Sequence, residues 1–453
     1  MEIERLYHAL RIDPAICIGC SHCMRSCPTE ALRIRNGKAV LLENKCIDCG
    51  ECFRVCPVSA ISVAEDDLND LMKYTHRIAL IPSVFFGQFS ENLSHETICA
   101  AVYKLGFTEI YEIERVTGYI AYAQQEYIKS AGCPNGPVSS YCPAVIRLIQ
   151  VKFPGLVDNI IPVKPPVDLA AIECRKSLVC SGIPEAEIGL FYFTPCAAKI
   201  AAVKSPVGDD KSPITGVVTM SSIYNKVLKL IRNEIEFPET STTTVSPDKS
   251  GILWALTHGE ARLMEGRVLS IDGIENVIDF LEKLEDDEPG KIDYLEMRAC
   301  DQSCAGGILV SGNRFLTAEK LYKKAGIMAE ETSLQGSPTK QKFLLENIWL
   351  HKINPRTSLA LDPDMHKAMD KMQKVTQLLS QLPGIDCGLC GSPSCQSFAE
   401  DIVKGEAELP QCVFILKGME NSQEINGNEG NEIMKNIWGT NRFNQKNRKG
   451  NKL

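Results

Sequence analysis

The chain has 453 residues, a formal net charge of −8 and an ordinary globular composition, 44% hydrophobic and 23% charged. Its length exceeds one ordinary core, at roughly 100–200 residues per domain, and points to about three. The acidic balance argues against nucleic acid as the main partner, and no apolar run reaches the roughly 18–20 residues of a membrane helix.

The opening Met1-Glu2-Ile3-Glu4-Arg5 carries acids and runs into a cysteine motif, unlike a signal peptide, so a cytoplasmic protein is expected. Twenty cysteines in a reducing compartment are expected to be metal ligands rather than disulfides. All but Cys99, Cys133, Cys174 and Cys180 fall into groups with ligand-like spacing.

Residues 1–66 contain an internal repeat, Cys17 to Pro28 and Cys46 to Pro57, with short strand-like pieces after each half. The layout is that of a small α+β ferredoxin domain. From 76 onward apolar strands alternate with helices, which is α/β patterning. Strands are expected at 77–82, 109–113, 159–163 and 188–193, and helices at 96–105 and 222–232. Residues 316–374 are helical and charged and extend this domain as packing. Residues 375–414 form a compact cysteine module, expected to be small and helical, and the polar end from 415 to 453 is expected to be a disordered tail.

Cys17-x2-Cys20-x2-Cys23-x3-Cys27-Pro28 and Cys46-x2-Cys49-x2-Cys52-x3-Cys56-Pro57 match the bacterial two-cluster pattern, in which the fourth cysteine of each run serves the other cluster. One 4Fe-4S cluster then takes Cys17, Cys20, Cys23 and Cys56, and the other takes Cys46, Cys49, Cys52 and Cys27. Soft thiolates suit iron-sulfur clusters, and two clusters in series conduct electrons.

Four further cysteines lie far apart: Cys142 after Tyr141, Cys196 in Thr194-Pro195-Cys196-Ala197-Ala198-Lys199, and Cys300-x3-Cys304 followed by Gly306-Gly307. Ligands so distant in sequence imply a site between lobes, and the glycines would let backbone approach a bulky cofactor. These segments resemble, in order, the three signature segments of iron-only ([FeFe]) hydrogenases, over residues 76–315. The resemblance implies a two-lobed domain with parallel sheets around a buried cluster. It also implies an H-cluster in which Cys142, Cys196, Cys300 and Cys304 hold a 4Fe-4S cube. Cys304 would bridge to a two-iron subcluster bearing CO, CN and a dithiolate amine, and Lys199 would pair with a cyanide.

The departures from that family concern proton transfer. Tyr141 stands where efficient enzymes have a proton-shuttling cysteine, and a phenol near pKa 10 is a poorer relay than a thiol near 8.5. Thr194 replaces a methionine and Ala202 a glutamate. Met297 is displaced by one place, with Arg298 where the methionine should fall, and Glu296 keeps its offset. These changes resemble the sensory branches of the family. Cys133 is a candidate relay from another direction, with a buried structural thiol as the plainer reading.

Near the C-terminus, Cys387, Cys390, Cys395 and Cys412 can converge on one site. The segment resembles a small 4Fe-4S domain of redox proteins, while spacing alone leaves zinc open. The combined expectation is a low-activity, ferredoxin-linked hydrogenase-type oxidoreductase that binds dihydrogen and senses hydrogen or redox state. Its partners would be dihydrogen and protons, a ferredoxin or signalling protein, and hydrogenase maturation proteins, with no nucleic acid and no membrane. The alternatives are an iron-sulfur assembly scaffold or a multi-cluster electron carrier, each lacking the two-iron unit.

Overall fold

The computed structural model describes residues 6–130, 133–209, 211–233, 247–286, 288–328, 334, 336–356, 361–362 and 364–443. The chain divides into two units that do not follow chain order. One comprises residues 10–46, 50–63 and 356–453, and the other residues 1–9, 47–49 and 64–355. The cysteine-rich C-terminal region therefore belongs with most of the N-terminal repeat, where sequence suggested separate domains, and the helical extension expected to run to 374 leaves the larger unit at Pro355.

In the smaller unit, β1 (Leu10–Ile12) pairs antiparallel with β4 (Ile61–Val63), and β2 (Leu32–Arg35) with β3 (Lys38–Leu41). Asn36 and Gly37 close the second hairpin with φ of 50° and 70°, the left-handed pair that a two-residue turn requires and that an Asn-Gly dipeptide supplies. The repeat is visible in the backbone as well. Ser21 and Gly50, like Glu30 and Ser59, share positive φ at the offset that separates Cys17 from Cys46.

The same unit contains the helices Met365–Leu379 and Cys395–Val403, whose apolar residues, among them Val375, Phe398 and Ala399, form a small core with Leu382, Cys390 and Cys412. The expected disordered tail is corrected for residues 415–443. Val413–Asn421 and Gly427–Trp438 are helices, the second started by a reciprocal cap between Asn426 and Glu429. Few apolar residues are needed, because Leu416 and Ile437 are buried and the turn amides of Asn36 and Gly37 donate to Asn436 and Ile437 carbonyls at 2.9 Å. The remainder of the expected tail, 444–453, lies outside the described residues.

The larger unit is α/β. Its four-stranded parallel sheet has the order β6-β5-β7-β8, with β5 (His76–Ile81), β6 (Glu109–Glu112), β7 (Ile188–Thr194) and β8 (Gly216–Thr219). All seven residues of β7 are buried, as a central parallel strand covered on both faces demands. The helices His95–Lys104 and Met220–Asn233 fall where periodicity placed them. A second parallel pair, β9 (Val268–Asp272) and β10 (Tyr294–Arg298), was not anticipated. The expected strand at 159–163 is corrected: Ile160 and Val163 form only isolated bridges, to Val138 and Trp349. Among the described residues no helix is long and apolar enough to cross a membrane.

Candidate metal centre

Three of the four cysteine sets each line a cavity of their own. In the larger unit, Cys142, Cys196, Cys300 and Cys304 share one with Tyr141, Lys199, Arg298, Ser303 and Gly307. In the smaller unit, Cys17, Cys20, Cys23 and Cys56 line a second, with Ile12, Ile34 and Ile61, and Cys387, Cys390, Cys395 and Cys412 line a third, with Leu382 and Phe398. Of the fourth set, Cys27 accepts the Ala31 amide on its sulfur at 3.2 Å, as Cys56 accepts that of Ala60 at 3.2 Å. The nearby amides favour sulfur as thiolate.

The large-unit cavity is assembled from element ends. Cys142 caps the helix Pro143–Lys152, whose proline at the first helical position starts it without wasting an amide. Cys196 follows β7 and caps Ala197–Lys204, which puts Lys199 in the first turn. The Thr194 hydroxyl shapes this corner by donating to the Cys196 carbonyl at 3.0 Å. β10 then delivers Arg298 and Cys300. The glycines after Cys304 serve the chain's own packing more than a cofactor: a side chain at Gly306 would strike the Asp301 carbonyl, and one at Gly307 that of Pro195.

Inside, the Lys199 Nζ donates to Cys304 Sγ at 3.2 Å, and the Tyr141 hydroxyl lies 3.3 Å from the same sulfur. The tyrosine ring carries two cations, Lys199 Nζ at 4.1 Å and Arg298 Cζ at 3.8 Å from its centroid. Burial above all, then Cys304, holds the Tyr141 phenol well above its ordinary range. Burial works against the Lys199 charge, but Cys304 and Tyr141 outweigh it, so the ammonium is held well above the usual lysine range. Two fixed cations converge on one sulfur-lined space.

Arg298 is carried by a buried network. It pairs with Glu260 and lies 3.7 Å from Glu296. Glu260 also accepts from Tyr294 at 2.6 Å, Ser139 at 2.7 Å and Gln124 at 3.0 Å, while Glu296 accepts the amides of Glu260 at 2.9 Å and Ala261 at 2.8 Å. Burial, opposed by Arg298, pushes Glu296 up to about 7. Strand alternation explains the displaced methionine: Met297 faces the opposite way from Glu296 and Arg298, into an apolar core. A shift of one place thus sends the side chain to the wrong side of the sheet.

The donor set fits an anionic cluster. Arg298 Nη1 and Ser303 Oγ, both buried, have no hydrogen-bond partner among the described residues, an expensive state unless an acceptor arrives. Burial first, with neighbouring cysteines adding to it, pushes the Cys196 thiol up to about 12, and in the smaller unit Cys23 to about 12 and Cys390 to about 11. Thiols so placed lose their protons to a metal rather than to water. Cys133 does not line the cavity. Its sulfur lies 3.7 Å from the Pro134 carbonyl, and burial, then Asp293, raises its pKa. Glu260 was missed by sequence reasoning because its partners come from three separate segments, one with Gln124, one with Ser139 and β10 with Tyr294 and Arg298, and no motif surrounds it.

Comparison with known families agrees with this chemistry. Residues 75–251 match the family "Iron only hydrogenase large subunit, C-terminal domain", residues 9–62 the "4Fe-4S dicluster domain", and residues 382–414 the "Putative Fe-S cluster" family. A curated relative, an uncharacterised protein of Methanocaldococcus jannaschii, is 38% identical over 47 residues, 10% of this chain and 21% of that protein. The chain thus spans about a fifth of that relative's length. Solved structures with partial likeness include the [FeFe]-hydrogenase HydA(deltaEFG), at 14% identity and TM-score 0.47, and a variant of HydA1 from Chlamydomonas reinhardtii, at 14% and 0.45. Each alignment covers 64% of this chain and 98% of the other. By these matches, residues 75–251 are similar to iron-only hydrogenases, residues 9–62 to two-cluster 4Fe-4S domains and residues 382–414 to an iron-sulfur family.

Proposed function

We propose that this protein reversibly binds dihydrogen, oxidises or produces it slowly, and reports hydrogen or redox state to a partner. The observation that carries the reading is the pairing of Lys199 and Arg298 over Tyr141 beside Cys304, within one cavity lined by all four central cysteines. Cys142, Cys196, Cys300 and Cys304 would hold a 4Fe-4S cube, with Cys304 reaching a two-iron subcluster that bears CO, CN and a dithiolate and that maturation proteins install. When bound, that group supplies heterolytic cleavage of dihydrogen.

The residues account for slowness. Lys199 holds an anionic ligand by charge and hydrogen bonding. Tyr141 fills the position beside Cys304 with a phenol that keeps its proton near neutral pH, so it shields the site from water and relays poorly. Glu296, near 7, is the carboxyl able to hold and release a proton, and it is linked to the cavity through Arg298 and Glu260. The cysteine sets of the smaller unit would hold 4Fe-4S clusters, which would supply electron transfer toward a ferredoxin or a signalling protein.

The test is hydrogen-dependent reduction of a viologen dye by anaerobic protein loaded with the two-iron cofactor. Slow turnover that requires the cofactor supports the reading. No turnover by protein shown to contain the cofactor would count against it.

A further inference from the structure

In the smaller unit, the short helix His22–Arg25, which carries Cys23, meets the loop at Cys387 and Gly388. Arg25 Nη2 donates to the Cys387 carbonyl at 3.0 Å. Met24 is fully buried, and its methyl lies 3.1 Å from where a side chain at Gly388 would begin, a position held at φ +72°. Cys20 and Cys387, one from each ligand set, line the same cleft.

This approach is locked rather than casual. Asp401, 1% exposed, is gripped by Arg33 through two bonds at 2.5 and 3.0 Å and by Arg35 at 2.9 Å. Lys45 pairs with Glu400 at 3.0 Å, and the Ile34 amide donates to the Gly391 carbonyl at 2.8 Å. A buried, bidentate arginine–aspartate pair is geometrically specific, and breaking it leaves a charge in the interior, so the helix and the loop keep one relative position.

We propose that the C-terminal set Cys387, Cys390, Cys395 and Cys412 holds a cluster that exchanges electrons directly with the one held by Cys17, Cys20, Cys23 and Cys56, across the bridge from Met24-Arg25 to Cys387-Gly388. The inference rests on the reading that both sets hold 4Fe-4S clusters, and it does not need the two-iron subcluster. The step is a single-electron exchange with no bond made or broken: the first cluster goes from the 1+ to the 2+ state and the C-terminal one from 2+ to 1+. A chemical reductant such as dithionite supplies the electron in the test. Arg25, a fixed cation beside both ligand segments, favours the reduced state of each.

The experiment is electron paramagnetic resonance on full-length protein carrying only its 4Fe-4S clusters, reduced with dithionite. The wild type is expected to show spin coupling that broadens the signal of the Cys17 set and speeds its relaxation. Cys390→Ala/Cys412→Ala, which withholds the C-terminal cluster, should remove that component. Unchanged relaxation and linewidth would overturn the proposal, as would zinc in place of iron at the C-terminal set. Should the double variant fail to fold, Arg25→Leu gives a second readout: potentials of both clusters should fall, and a shift in neither overturns the bridge. No arm uses hydrogen, so failure here is distinguishable from failure of the hydrogen-handling reading.

Discussion

Replacing Arg298 with methionine tests whether the buried network supports the metal cavity. The Arg298 and Glu260 side chains are 2% and 0% exposed, and Glu296 lies 3.7 Å away on the other side of the pair. Removing one member of a buried ion pair costs about 3–5 kcal/mol, chiefly because the surviving charge is left uncompensated in the interior. Arg298→Met should therefore destabilise the larger unit by that amount near neutral pH. A second substitution, Glu260→Gln, removes the stranded charge and should recover at least half of the loss.

The deficit should also depend on pH. Glu296 is already pushed up to about 7, and the arginine opposes that rise, so without it the carboxyl stays protonated further into the neutral range. A carboxyl raised in the folded state contributes stability at low pH that is lost as pH rises, so the penalty should shrink from about pH 7.5 to about pH 5.5. Denaturant unfolding of anaerobic protein reads this out, followed by fluorescence of the fully buried Trp254, whose carbonyl Arg298 approaches at 3.5 Å. An unchanged midpoint in the single variant, with no recovery in the double, would refute the reasoning.

Tyr141→Cys places a thiol beside Cys304, and hydrogen turnover by cofactor-loaded protein should rise at least about tenfold, since a group near 8.5 relays protons better than one above 10; equal rates in a dye assay would contradict this. Lys199→Gln should leave the cube's iron content intact while lowering retention of the two-iron subcluster, measured by metal analysis and infrared absorbance. Glu114 is fully enclosed, accepts the Ser83 amide at 3.0 Å, and burial pushes it up to about 8. Folding then binds a proton between roughly pH 4.5 and 8, so stability falls as pH rises through that window by up to about 1.4 kcal/mol per pH unit. Glu114→Gln should flatten this slope in unfolding titrations.

Spacing made two cysteine groupings legible, Cys17, Cys20 and Cys23 with a distant Cys56 and Cys387, Cys390 and Cys395 with a distant Cys412, each of which lines one cavity, whereas Cys142, Cys196, Cys300 and Cys304 are scattered along the chain and share a cavity only through the fold. Lys199 was legible by its offset from Cys196, which one helical turn converts into proximity. Glu260 was not, because its importance lies in partners contributed by Gln124, by Ser139 and by Tyr294 and Arg298 of β10, three segments far apart in sequence. β9 escaped notice because its five residues are only half-buried and lack a clean apolar pattern. The helices after residue 413 escaped because polar composition hides a helix fixed by a cap, two buried side chains and hydrogen bonds to a distant hairpin. Pairing of the C-terminal module with the repeat depends on Arg33 and Asp401, hundreds of positions apart, which composition cannot link.

The central claim is that the cavity around Lys199 and Arg298 holds a hydrogen-reactive two-iron subcluster. Infrared spectroscopy of anaerobically matured protein, under argon and then under hydrogen, tests it most directly. Metal-bound CO and CN bands that shift when hydrogen is admitted are the expected result. Absence of such bands after competent maturation would contradict it and turn attention to the scaffold and electron-carrier readings.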